Sequence, residues 1–102
     1  MIYQFKGPYS FDSATVSGWN STEIGVYYCG AKTADGKLTP YYIGKSSAEG
    51  GIRGRLLQHL SERKWPDVTH FGYESCDTVR ETESHELSEI AKYKPKYNTQ
   101  GK

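Results

Sequence analysis

Residues 25–46 read GVYYCGAKTADGKLTPYYIGKS, with two tyrosine doublets, Tyr27-Tyr28 and Tyr41-Tyr42, on either side of Ala34-Asp35-Gly36. Asp-Gly is a hairpin signal, because both residues accept the backbone angles that a tight turn between strands demands. Residues 25–31 are dense in Val, Tyr and Cys and read as the outgoing strand. Residues 38–44 read as the return, with Pro40 marking an edge position or the strand's start. Side chains alternate between the faces of a strand. Tyr27 and Cys29 therefore fall on one face, Val26 and Tyr28 on the other, and Tyr42 and Gly44 separate from Tyr41 and Ile43. A doublet can serve two faces, one ring packing a core and the other offering its hydroxyl to a polar site.

Beyond the hairpin, Lys45-Ser-Ser-Ala-Glu-Gly-Gly51 is a loop, and the spacing of Ile52, Leu56 and Leu60 predicts a helix over about residues 51–63. Trp65-Pro66 ends that region, and residues 70–76 read as a third strand with Phe71 and Tyr73 on one face. Thr78-Val79-Arg80-Glu81 is a capping box that opens a second helix. Val79, Leu87, Ile90 and Ala91 give that helix an apolar stripe, and Lys94-Pro95 stops it. Residues 1–24 are rich in Ser, Gly, Asn and aromatics and read as irregular, with short strand candidates at residues 2–5 and 14–16. The order β-β-α-β-α defines a small α+β domain.

A chain of 102 residues is expected to form one domain with a thin core, since small domains bury a modest fraction of their surface. The hydrophobic fraction is only 35%, and nine tyrosines supply large amphipathic rings in compensation. Thirteen basic groups stand against twelve acidic ones, so net charge gives no reason to infer nucleic acid. The distribution is less even: after Glu89 come Lys92, Lys94, Lys96 and Lys102 and no acid, which fits either a solvated tail or a phosphate-facing end. Cys29 and Cys76 make no disulfide framework and lack partners at zinc spacing. The opening MIYQFKGPYS lacks a long apolar run, and no segment approaches the roughly 20 apolar residues of a membrane span. The expectation is a soluble, cytoplasmic protein with reduced thiols.

Arg55 and His59, spaced i, i+4, share a face of the first helix beside Ile52 and Leu56. On the second helix Glu86 sits at the margin of the apolar stripe and Glu83 nearer its centre, so periodicity does not choose between the two acids.

Taken in order, these features resemble the GIY-YIG nuclease family. Gly25-Val26-Tyr27 and Tyr42-Ile43-Gly44 are similar to its two signatures, and Lys45 follows the second directly. RLLQHL, residues 55–60, is similar to the family's arginine helix with its histidine one turn on. ELSEIAKYKPKYN, residues 86–98, resembles the closing block, in which a glutamate opens a helix and a Lys-Pro-x-Tyr-Asn segment ends it. The resemblance covers residues 25–98, leaving residues 1–24 as an extension packed on or preceding the domain and residues 99–102 as a tail.

The resemblance implies a three-stranded antiparallel sheet flanked by helices, and hydrolysis of DNA phosphodiesters with Mg²⁺ or Mn²⁺. It assigns Tyr27 and Tyr42 to the signature tyrosines and Lys45, Arg55 and His59 to the basic and helix positions. Glu86 is assigned to the metal-binding acid, selected over Glu83 by its distance from the closing Asn98. Lys45, Arg53, Arg55, Lys94, Lys96 and Asn98 are expected to face DNA. The loop before the arginine helix is longer than is common in the family, so Arg53 competes with Arg55; the Leu-x-x-His-Leu context favours Arg55. Residues 1–24 have three possible uses: an edge strand, a homo-oligomer or protein contact, or a substrate arm. The alternative to an enzyme is a catalytically silent nucleic-acid-binding or protein-interaction module on the same fold.

Such chemistry needs an activated water and neutralised phosphate charge. A single carboxylate, Glu86, suits Mg²⁺, which keeps much of its hydration shell. Arg55 offers a planar donor fork to phosphate oxygens. Tyr27 is the expected group to orient or deprotonate water. A phenol with a pKa near 10 needs cationic neighbours or a metal to serve as a base.

Overall fold

A computed structural model describes residues 1–19, 22–47, 50–63 and 65–99. The elements in chain order are β1 (Lys6–Ser10), α1 (Ser13–Gly18), β2 (Gly25–Lys32), β3 (Leu38–Ser46), α2 (Gly51–Glu62), β4 (His70–Ser75), α3 (Val79–Tyr93) and α4 (Lys96–Thr99). The hairpin β2–β3 forms as its turn chemistry requires, and β4 adds antiparallel on the other side of β2. The architecture is α+β.

The sheet has four strands rather than three, in the order β1-β4-β2-β3. The fourth, β1, comes from the N-terminal extension and pairs antiparallel with β4, covering an edge that would otherwise expose unpaired backbone groups. It lies beyond the expected residues 2–5, of which Ile2 makes an isolated bridge to Cys76. Residues 14–16, the other strand candidate, belong to helix α1. Asp12 accepts a hydrogen bond from the Thr15 amide at 2.7 Å, and this N-cap outweighs the β preference of Thr and Val.

The sheet separates two cores. Tyr27, Cys29, Phe71 and Tyr73 pack with Val16 of α1 and with Ile52 and Leu56 of α2. Val26, Tyr28 and Ile43 pack on the other face with Phe5, Leu38 and Ile90. The first doublet thus divides between faces by simple alternation. The second does not, because Cys29 faces Tyr42 while Gly30 faces Pro40, leaving Tyr41 as the extra residue of a bulge. Its ring meets Tyr97 edge-on at 6.4 Å instead of joining Ile43.

Helix α3 begins at the expected capping box, with Glu81 N–H donating to Thr78 Oγ1 at 3.1 Å and Thr78 N–H donating to Glu81 Oε1 at 3.2 Å. Its expected apolar stripe is corrected: Leu87 is 68% exposed and Val79 46%, whereas Thr82 is fully buried. Of that stripe Ile90 does pack on the second core, and beside it the helix meets the sheet through polar side chains, whose burial is supported by partners on distant strands. Tyr28 donates to Glu89, and Glu74 meets His85.

Candidate active site

Tyr27 stands opposite Gly44 across the β2–β3 pair. Its ring lies over that glycine so closely that a Cβ there would come within 2.4 Å of Tyr27 Oη. Gly44 is therefore fixed by the space the phenol occupies. The Tyr27 hydroxyl lies 2.9 Å from His59 Nε2. His59 takes the third inward position of α2, after Ile52 and Leu56, and is only 4% exposed. Its ring packs against Trp65 at 4.6 Å, and its Nδ1 lies 3.9 Å from Glu62 Oε1. Tyr42 stacks on the same indole at 4.8 Å and meets the His59 ring edge-on at 5.6 Å. Trp65, legible in the sequence only as the end of a helix, is thus the wall that holds both Tyr42 and His59.

Burial pushes the Tyr27 phenol well above its ordinary value, and Tyr42 adds to the rise, while the Arg55 guanidinium opposes it. Tyr42 is also raised, again mainly by burial, with Arg55 opposing and Glu86 adding. The expected lowering of Tyr27 by cationic neighbours is outweighed by desolvation, so the phenol is protonated at neutral pH.

Tyr27, Tyr42, Lys45, Ser46, Arg55 and Glu86 line one open cleft of about 380 Å³. They come from β2, β3, α2 and α3, so only the tertiary fold joins them. Lys45 Nζ lies 4.0 Å from Glu86 and 3.7 Å from Glu83. The two acids differ in setting: the Glu86 side chain is 16% exposed, the Glu83 side chain 55%. Glu86 is the one carboxylate lining the cleft among the described residues. A single, partly buried carboxylate in a polar, solvent-open cleft fits a hydrated Mg²⁺ or Mn²⁺, which takes few protein ligands and retains water.

The two arginines also part company. Arg55 borders the cleft and donates to Gln58 at 2.7 Å. Arg53 turns to α1 and donates to the Ser17 carbonyl at 3.0 Å. The remaining residues expected at DNA lie outside the cleft. Asn98 clamps the outer edge of β3, accepting from Ile43 N–H at 2.7 Å and donating to Ile43 O at 2.8 Å. Both ends of its carboxamide are thus engaged in holding the sheet. Lys96 pairs with Asp67 and lies over the Tyr41 ring at 4.3 Å. Lys94 is exposed at the C-cap of α3 in the left-handed conformation, with φ 46°.

No helix among the described residues is long and apolar enough to cross a membrane. Compared with protein-family models, curated proteins and solved structures, the chain matches none.

Proposed function

We propose that the protein is a DNA endonuclease of the GIY-YIG type, hydrolysing phosphodiester bonds at the cleft between β2, β3, α2 and α3. One observation carries the reading: Tyr27, Tyr42, Lys45, Arg55 and Glu86, far apart in sequence, share a single polar cleft. Arg55 presents its guanidinium to non-bridging phosphate oxygens, where charge accumulates as the pentavalent state forms. Glu86 holds the Mg²⁺ or Mn²⁺, which supplies Lewis-acid stabilisation of the same charge when bound. Lys45 balances the Glu86 carboxylate and adds positive potential at the cleft mouth.

Water activation in this reading runs through a relay. Tyr27 is protonated, so it accepts a proton from water only as it passes its own to His59 Nε2, 2.9 Å away. The hydroxide forms the new P–O bond, the P–O bond to the leaving alkoxide breaks, and the water's proton equivalent remains on the His59 imidazole. Nε2 accepts only in the Nδ1–H tautomer, which the Glu62 carboxylate 3.9 Å from Nδ1 favours. The Nε2 proton then leaves through Tyr27 to solvent or product.

The test is nicking of supercoiled plasmid with Mg²⁺, with Mn²⁺ and with EDTA, alongside Glu86→Gln. Cleavage by the parent chain, its loss in EDTA and its abolition in Glu86→Gln with DNA binding retained are the expected results. No divalent-dependent cleavage of duplex, branched or single-stranded DNA would sink the proposal. Normal cutting by Glu86→Gln beside a dead Glu83→Gln would move the metal to the other acid.

A further inference from the structure

A separate polar cluster lies on the opposite face of the sheet from Tyr27, where α3 runs over β2 and β3 and reaches Glu74 on β4. Glu74 comes from β4, and His85 and Glu89 come from successive turns of α3. One ligand atom from each lies within 4.8 Å of the other two. His85 Nε2 is 2.5 Å from Glu74 Oε1, and Tyr28, itself only 4% exposed, donates its hydroxyl to Glu89 Oε1 at 2.7 Å. Glu74, Glu89 and Tyr28 also border a half-open pocket of about 300 Å³, which Phe5, Leu38 and Tyr93 line as well. None of these residues lines the cleft of the proposed nuclease.

The chemistry of the set is specific. Two carboxylates held this close in a partly dehydrated place repel each other, and a dication turns that repulsion into attraction. The imidazole directs the choice of ion: Mg²⁺ and Ca²⁺ prefer oxygen, whereas a nitrogen beside two carboxylates suits Zn²⁺ and its first-row neighbours. His85 and Glu89, at i and i+4, present both donors on one face of a capped helix, and Glu74 meets them from a central strand. Tyr28 fixes the Glu89 carboxylate from outside, as hydrogen bonds to metal ligands do. The pocket offers room for water to complete the coordination.

We propose that Glu74, His85 and Glu89 form a metal site for a borderline divalent transition ion of the Zn²⁺ type. It binds at the sheet–helix interface and clamps α3 to β4. The inference does not rest on the nuclease reading. The Glu74–His85 hydrogen bond holds the donors together without an ion, and binding exchanges it for bonds from both groups to the metal.

The experiment uses the untagged, metal-stripped chain carrying Glu86→Gln, so that the cleft acid does not contribute. Zn²⁺ is titrated by calorimetry and Co²⁺ by visible absorption, with thermal melts in parallel. Expected are one ion per chain, Co²⁺ d–d bands without thiolate charge transfer, and a Tm rise on the order of 10 °C at hundredfold excess over Kd. Tyr28→Phe should weaken binding about 10-fold through loss of the outer hydrogen bond. Glu89→Gln and His85→Ala should weaken it further, with circular dichroism confirming that each variant is folded. Absence of saturable Zn²⁺ binding, unchanged binding in the folded Glu89→Gln and His85→Ala chains, or a thiolate band from Cys29 or Cys76 would each overturn the proposal.

Discussion

Tyr27 and Tyr28 are neighbours in sequence with opposite surroundings. Tyr27 meets His59 and borders the cleft, whereas Tyr28 meets Glu89 beneath α3. Removing only the hydroxyl separates their roles. Tyr27→Phe is expected to lose most cleavage while remaining folded, since the ring over Gly44 is kept. Tyr28→Phe should cut normally at the temperature where it is folded, and lose about 1–2 kcal/mol of stability with the bond to a carboxylate. Plasmid cleavage rates and melts of the two variants check this; a folded but dead Tyr28→Phe beside an active Tyr27→Phe reverses the assignment. The arginines supply a second contrast at this scale. Arg55→Ala should reduce turnover on the order of 10²-fold or more, as loss of a transition-state donor does. Arg53→Ala should chiefly loosen α1, because its partner is the Ser17 carbonyl. Equal losses of turnover in the two folded variants would show that Arg55 has no special place.

The elements of this fold are held by contacts that local pattern does not announce. β3 is an edge strand, and one side chain from α4 satisfies both the donor and the acceptor of Ile43 there. Asn98→Ala leaves those two groups unpaired in a half-buried position, so the expected loss is about 1–3 kcal/mol. Chemical denaturation measures it directly, and Asn98→Asp should be little better because a carboxylate does not donate to Ile43 O. A wild-type midpoint in Asn98→Ala would show that water replaces the clamp without cost. Lys96 and Tyr97, which meet Asp67, strengthen the same attachment of α4. The C-terminal lysine-rich segment is thus partly a structural brace.

At the scale of the whole molecule, the tyrosines that fill both cores couple stability to alkaline pH. Burial raises the phenols of Tyr27 and Tyr28, the latter reinforced by Glu89. In the unfolded chain these phenols ionise near pH 10. Above that pH the folded state binds more protons than the unfolded one, so stability falls as pH rises. Stability from this source is full below about pH 10 and declines as pH climbs toward the raised folded values. Melts followed from pH 8 to 11 should show the fall beginning near pH 10, and Tyr27→Phe with Tyr28→Phe should flatten it. An unchanged slope in the double variant would mean that neither buried phenol drives the loss.

Much of this architecture was legible in the chain itself. The Asp-Gly turn between strand-forming doublets specified the β2–β3 hairpin, the Ile52 and Leu56 spacing specified α2, and the Thr78–Glu81 box specified where α3 starts. These signals are local: each depends on residues within a turn or two of one another. Arg55 and Glu86, singled out over Arg53 and Glu83 only through the resemblance, line one cleft with Tyr27 and Tyr42. What the tertiary structure alone decided depends on distant partners. The fourth strand exists because β4 offers an edge, and Tyr41 leaves its expected face because a bulge shifts the register of β3. Thr82, His85, Glu86 and Glu89 face inward on α3 although periodicity pointed to Leu87. A pattern of hydrophobicity records the cost of burying each side chain, but not the hydrogen bond or ion pair that another segment brings to offset it.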